Sequence, residues 1–171
     1  MSACPVHECC RKLFLMPKSA LAILAASAAA LGFVFVMQYG FGHEPCVLCL
    51  WQRVPYAAAI LLSGFSLLPA LRRQAPILLM LCALIFVIEC GLAFFHTGVE
   101  LHWWLGTQGC AITPLNGASA EDLRTQLLHT VVARCDQINW TFLGLSMANY
   151  NVAYSLLLAL FSFCAARKEA A

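Results

Sequence analysis

The chain has 171 residues, 62% of them hydrophobic and 11% charged, with a net charge of +2 and a mean hydropathy of +0.81. Soluble domains average about 45–50% apolar and about 25% charged, so an ordinary soluble protein is excluded. The basic residues lie in short clusters between apolar runs and not along one face, which excludes a nucleic-acid surface.

The amino-terminal tail, residues 1–19, carries CPVHECC. Its Cys4, His7, Cys9 and Cys10 suggest a metal cluster or an acylation site, but adjacent cysteines serve one tetrahedral ion poorly. The default reading is a disordered tail. Four apolar runs follow, at about 20–39, 55–71, 76–95 and 142–166. Each is near the roughly 20 helical residues that cross a hydrocarbon core of about 30 Å. The first is read as a retained span, because its apolar character continues through LGFVFVM, past the small residues of a cleavable leader. The second is the shortest and draws on its flanks. The third contains Glu89, and the fourth contains Ser146, Asn149 and Asn151, all expected to face a bundle interior.

The sequence therefore predicts a single all-α membrane domain, a bundle of four transmembrane helices embedded in the lipid bilayer. Lys and Arg in short flanks set its orientation. Arg11, Lys12 and Lys18 precede the first span, Arg72 and Arg73 lie between the second and third, and Arg167 and Lys168 follow the fourth. Both termini are thus expected in the cytoplasm, with a short loop (40–54) and a long loop (96–141) outside.

This topology sorts the ten cysteines. Cys4, Cys9 and Cys10 are cytoplasmic, and Cys82, Cys90 and Cys164 read as small apolar fillers within spans. Cys46, Cys49, Cys110 and Cys135 face an oxidising compartment, the place for disulfide chemistry.

In the first loop, EPCVLCLWQRVPY sets Cys46, Cys49 and Arg53 at i, i+3 and i+7, one stripe of a helix. Pro45 suits a first helical position, which leaves Cys46 among unpaired N–H groups that favour a thiolate. A guanidinium about 5 Å from a sulfur, at an effective dielectric near 20, would contribute roughly 3 kcal/mol, about two pKa units before screening. Pro55 removes the hydrogen bond to the Trp51 carbonyl and bends or restarts the helix. A C-x-x-C alone is a redox pair, half a zinc site or a structural bridge. Zinc would need further ligands from His43 or from Cys110 and Cys135, and is disfavoured. Arg53 alone reads equally well as a cation snorkelling to headgroups.

In the long loop, Ser119 and Asp122 resemble a capping pair before Leu123, Leu127, Leu128, Val131 and Val132, an interfacial helix. A bridge around it would stabilise the loop by roughly 3 kcal/mol. Gly106 and Gly109 before Cys110, and Pro114 after it, suggest instead the mobile approach that thiol exchange needs. Trp103, Trp104 and Trp140 read as interfacial anchors. Asn139 begins a glycosylation-like triplet read as fortuitous. His102 and His129 are expected to be solvated.

Together CVLCLWQR (46–53), FFHTGVE (94–100) and a cysteine followed by WTFLGLSM (140–147) resemble the disulfide bond formation protein B family of bacterial inner-membrane thiol oxidases. The match runs from the first span to the fourth. It implies a multi-pass inner-membrane protein thiol:quinone oxidoreductase with its active cysteines on the periplasmic side. Cys46 and Cys49 would exchange electrons with a bound quinone, ubiquinone or menaquinone. Cys110 and Cys135 would take electrons from a periplasmic DsbA-like oxidoreductase. Arg53 and His96 would lie beside the quinone, although His96 alone could be an inert interfacial histidine. The resemblance implies no resident metal, and the CPVHECC extension departs from the family pattern. Competing readings are a four-span organising protein like a tetraspanin, which leaves Cys46, Cys49 and Arg53 unexplained, and a vitamin K epoxide reductase-like enzyme, whose membrane-edge thiol pair would come late in the bundle.

Overall fold

The computed structural model describes residues 18–107, 110, 133–138 and 140–170. The amino-terminal cysteines, the loop segment expected to form an interfacial helix, His129 and Asn139 lie outside them. Four helical spans are long and apolar enough to cross a membrane: Lys18–Gly40, Val47–Leu67, Pro69–Glu100 and Met147–Ala170.

The first span is helix α1 (Lys18–Phe35), rich in alanine, the strongest helix former, and it ends in a π-turn over Val36–Gly40. The second is α2 (Val47–Trp51) followed by α3 (Arg53–Leu67), with Gln52 as the junction. The break falls where Pro55 leaves the Trp51 carbonyl without its N–H donor. An extended Leu68 precedes Pro69 and closes α3. A 3-10 turn, Pro69–Gln74, carries Arg72 and Arg73 into the 26-residue α4 (Ala75–Glu100). Thr141–Phe142 (β1) pairs antiparallel with Leu145–Ser146 (β2). Leu143 and Gly144 between them have φ of 50° and 81°, a tight hairpin turn that needs left-handed residues. The final helix is α5 (Met147–Ala170).

These bounds shift the expected spans in three places. The second begins at Val47 and not at Pro55, so Cys46 caps the helix that crosses the membrane and Cys49 lies in its first turn. The third extends past Phe95 to Glu100. The fourth begins at Met147, because the hairpin occupies the residues before it.

The described spans are inside-out relative to a soluble protein. Leu84, Val87, Ile88, Leu157 and Phe161 are exposed, as lipid-facing side chains would be. The interior uses small and hydroxyl residues that let helices approach closely: Ala20, Ala59, Ala159, Ser27, Ser63 and Ser155 are buried. Ser63 and Ser155 return their hydroxyls to carbonyls four residues back, both at 2.6 Å. Phe86, Leu79, Ile23 and Tyr56 fill the centre. Cys82 is fully buried, Cys90 is half-buried with its sulfur 3.7 Å from the Val152 carbonyl, and Cys164 faces outward.

Cross-links between helices fix the arrangement. Ser19 donates to Glu169 at one end, joining the start of α1 to the end of α5. In the middle, Asn151 of α5 donates to Glu89 of α4 at 2.6 Å and accepts from Tyr56 of α3 at 2.5 Å. At the other end Ser146 donates to Glu100. Lys18, Arg167 and Lys168 thus share one end with the Arg72–Arg73 turn, and the outer cysteines occupy the opposite end.

Candidate functional site: a sulfur cluster at one end of the bundle

Cys46 is the N-cap of α2, not a first-turn residue, and its sulfur accepts the Cys49 N–H at 3.3 Å. Pro45 stands one position outside the helix. The cap turns the Cys46 thiol toward Cys49, to which it donates across 3.0 Å. All seven described cysteines are free thiols. The bond donated to Cys49 and then burial push the Cys46 thiol above the usual range.

Cys110 and Cys135 join this pair. Both are 1% exposed and pack with Cys46, Leu48 and Val99 in one apolar cluster that Cys49, Leu92 and Phe95 border. Cys135 donates its backbone N–H to the Cys110 carbonyl at 3.2 Å. Its side chain packs beside those of Cys110 and Cys46. Burial and the bond to Cys110 push Cys135 up to about 11. The four cysteines that the topology sorts to one side are therefore one site in space.

The flexible approach read into Gly106 is replaced by close packing. A Cβ there would stand 2.6 Å from the Cys110 Cβ, so glycine is required for contact and not for mobility. Gly98 plays a similar part under Trp104, whose ring atoms would meet a Cβ at 2.0 Å. Trp104 stacks on Phe95 and donates to its carbonyl at 2.9 Å. Trp103 is exposed as an anchor would be, and Trp140 lies edge-on to Phe33 of α1.

His96 is buried, 4% exposed. Its Nε2 lies 3.5 Å from the Cys46 sulfur and its Nδ1 3.4 Å from the Gln52 amide. Glu100, one turn on, brings a carboxylate oxygen to 3.8 Å from the same Nε2. His102 is exposed, as expected.

Arg53 opens α3 and reaches the first span, where Nη1 donates to Gln38 at 2.8 Å and the guanidinium lies 5.1 Å from the Phe35 ring centre. Its Nε is buried and without a partner among the described residues.

Sequence reasoning missed Gln52, Glu100 and Gln38. Glu100 carried a usable signal, since it is four residues after His96 and α-helical spacing places the two side by side. Gln52 and Gln38 gave none, because their roles depend on how α1, α2 and α4 meet.

The comparisons with known proteins agree with this architecture. Residues 17–165 match the family model described as disulfide bond formation protein DsbB. A disulfide bond formation protein B of Xanthomonas euvesicatoria pv. vesicatoria (strain 85-10) is 32% identical over 151 residues, covering 84% of this chain and 86% of the relative. One of Pasteurella multocida (strain Pm70) is 31% identical over 153 residues, 84% of each chain. An uncharacterised protein of Rickettsia prowazekii (strain Madrid E) is 26% identical over 143 residues, 82% of each. No solved structure matches the chain. With four membrane-length helices and a family match over most of its length, the chain belongs to the DsbB family of disulfide bond formation proteins.

Proposed function

We propose that the protein oxidises a periplasmic DsbA-like dithiol oxidoreductase and passes the electron pair through Cys110–Cys135 and Cys46–Cys49 to membrane quinone. The observation that carries this reading is the packing of Cys46, Cys110 and Cys135 into one buried cluster bordered by Cys49, because thiol–disulfide exchange needs the attacking sulfur beside the bond it breaks.

The cycle balances as disulfide exchange. A partner thiolate attacks the Cys110–Cys135 bond, and the second partner thiol resolves the mixed disulfide, leaving the partner oxidised and the loop pair reduced. Cys135 then attacks Cys46 of a Cys46–Cys49 disulfide; the Cys135–Cys46 bond forms and Cys49 leaves as thiolate. Cys110 attacks Cys135, restoring the loop bridge and releasing Cys46, so the membrane-edge pair now holds two electrons. His96 Nε2, 3.5 Å from the Cys46 sulfur, takes or returns the proton of that thiol.

The residues fit a quinone. Arg53 Nε is a buried, unanswered donor of the kind a carbonyl oxygen accepts, and Trp51 and Val54 beside it are exposed, open to a lipid-soluble molecule. Bound there, quinone would supply an acceptor of two electrons and two protons. Arg53 would hold its oxygen and favour negative charge on it. The proposed orientation places this end in the periplasm of the bacterial inner membrane, with Lys18, Arg72, Arg73, Arg167 and Lys168 inside.

The test combines purified protein, a reduced DsbA-like partner and a soluble quinone, and follows thiol loss together with quinone reduction. Turnover is expected to fall to background in Cys46→Ser and Cys49→Ser. Turnover surviving either substitution, or labelling of these cysteines by an impermeant maleimide only from the cytoplasmic side, rejects the route.

A further inference from the structure

We infer that the reduced membrane-edge dithiol is also a binding site for a thiolate-seeking divalent cation of the zinc type, with Cys46, Cys49 and His96 as its protein ligands. The sulfurs of Cys46 and Cys49 and a ring nitrogen of His96 lie within 4.8 Å of one another. His96 Nε2 faces the Cys46 sulfur at 3.5 Å.

The distances suit tetrahedral zinc. Bonds of about 2.3 Å to sulfur and about 2.05 Å to nitrogen imply a sulfur–nitrogen separation of about 3.6 Å, against 3.5 Å here. The Glu100 carboxylate lies outside this three-ligand group, so the fourth tetrahedral position falls to a water. The two sulfurs, 3.0 Å apart, must open to about 3.8 Å. Cys49 is the less buried of the pair. An outer support is also present. The Gln52 amide stands 3.4 Å from Nδ1, and with its oxygen turned to that nitrogen it fixes the tautomer that leaves the Nε2 lone pair facing the sulfurs. The zinc set considered from the sequence, His43 with Cys110 and Cys135, is not needed.

Binding exchanges two thiol protons for one dication, and no electron moves. A disulfide offers no thiolate, so the site exists only while the pair is reduced. On the proposed cycle the bound ion withholds both sulfurs from Cys135 and from the acceptor, making outer-compartment zinc a lock on the reduced form.

The test uses the full-length chain in detergent, with Cys4, Cys9, Cys10, Cys110 and Cys135 replaced by serine so that neither the tail nor the loop competes. The reduced protein is titrated anaerobically with Co2+, which is then displaced by Zn2+. One Co2+ per chain is expected, with thiolate-to-cobalt charge-transfer absorption and tetrahedral visible bands, and none once the pair is oxidised. His96→Ala should weaken affinity at least ~10-fold, and Gln52→Leu ~10- to 100-fold. The near-isosteric Cys49→Ser should lose roughly half of the charge-transfer intensity. Equal binding by the oxidised protein, an octahedral spectrum, no binding, or unchanged affinity in His96→Ala and Cys49→Ser overturns the inference. No partner or quinone is present, so failure here leaves the proposed oxidase standing, and loss of oxidase activity leaves this site standing.

Discussion

Two buried polar clusters occupy the bundle, and both include a glutamate of α4. In the middle, Glu89 is 0% exposed and bound by Asn151, which in turn accepts from Tyr56. Three helices are tied together there by groups that satisfy one another, apart from one Glu89 oxygen. At the cysteine end Glu100 stands by His96, which stands by Cys46, and the partners are sulfurs that can change their bonding. The contrast teaches that burial of a carboxylate does not mark chemistry by itself. What separates the two is whether the polar neighbours are amides and phenols or thiols.

Variants should split along this line. At the sulfur end, Arg53→Ala is expected to raise the quinone KM by ~10- to 100-fold, the value of about 1.5–3 kcal/mol for a charged hydrogen bond. The loop bridge should still form by thiol quantification. An unchanged KM would remove Arg53 from the site.

The pH profile is a larger effect still, about 1000-fold across three pH units. With Cys135 held at about 11, its thiolate fraction at neutral pH is small and grows ~10-fold per pH unit until that value. Single-turnover exchange between the loop pair and the membrane-edge pair should therefore quicken with rising pH; a flat profile from pH 6 to 9 would show that Cys135 is not the attacking sulfur.

In the middle of the bundle, Asn151→Leu strips Glu89 and Tyr56 of their shared partner. A stability loss of about 1–3 kcal/mol in detergent unfolding is expected, with thiol exchange in the folded fraction unaltered. A selective loss of exchange would erase the distinction between the clusters. Smallest of all, Cys164→Ser should leave turnover and unfolding within error, since that side chain faces outward.

Much of this was legible in the chain. Hydropathy alone marks four spans, because a stretch of about 20 apolar residues has few other uses. The sorting of Cys46, Cys49, Cys110 and Cys135 to one side needed only the positions of Lys and Arg. The rest depended on geometry that runs across helices. Cys46 became an N-cap because α2 begins two residues later than Pro45 suggests, and the partners of Arg53, Gln38 and Phe35, come from the first span. Gly106 looked like a hinge, since glycine gives the same sequence signal whether it permits motion or close contact. Glu100 went unnoticed as a charged loop residue, when α4 in fact continues through it.

At 26 residues, α4 is about 39 Å long, some 9 Å more than a typical hydrocarbon thickness. His96 and Glu100 ride on its final turn and a half, so the depth of the dithiol is tied to hydrophobic mismatch. Lipids with longer acyl chains would draw that turn inward and those with shorter chains would lift it out, which makes acyl-chain length a natural tuning variable for access to this centre.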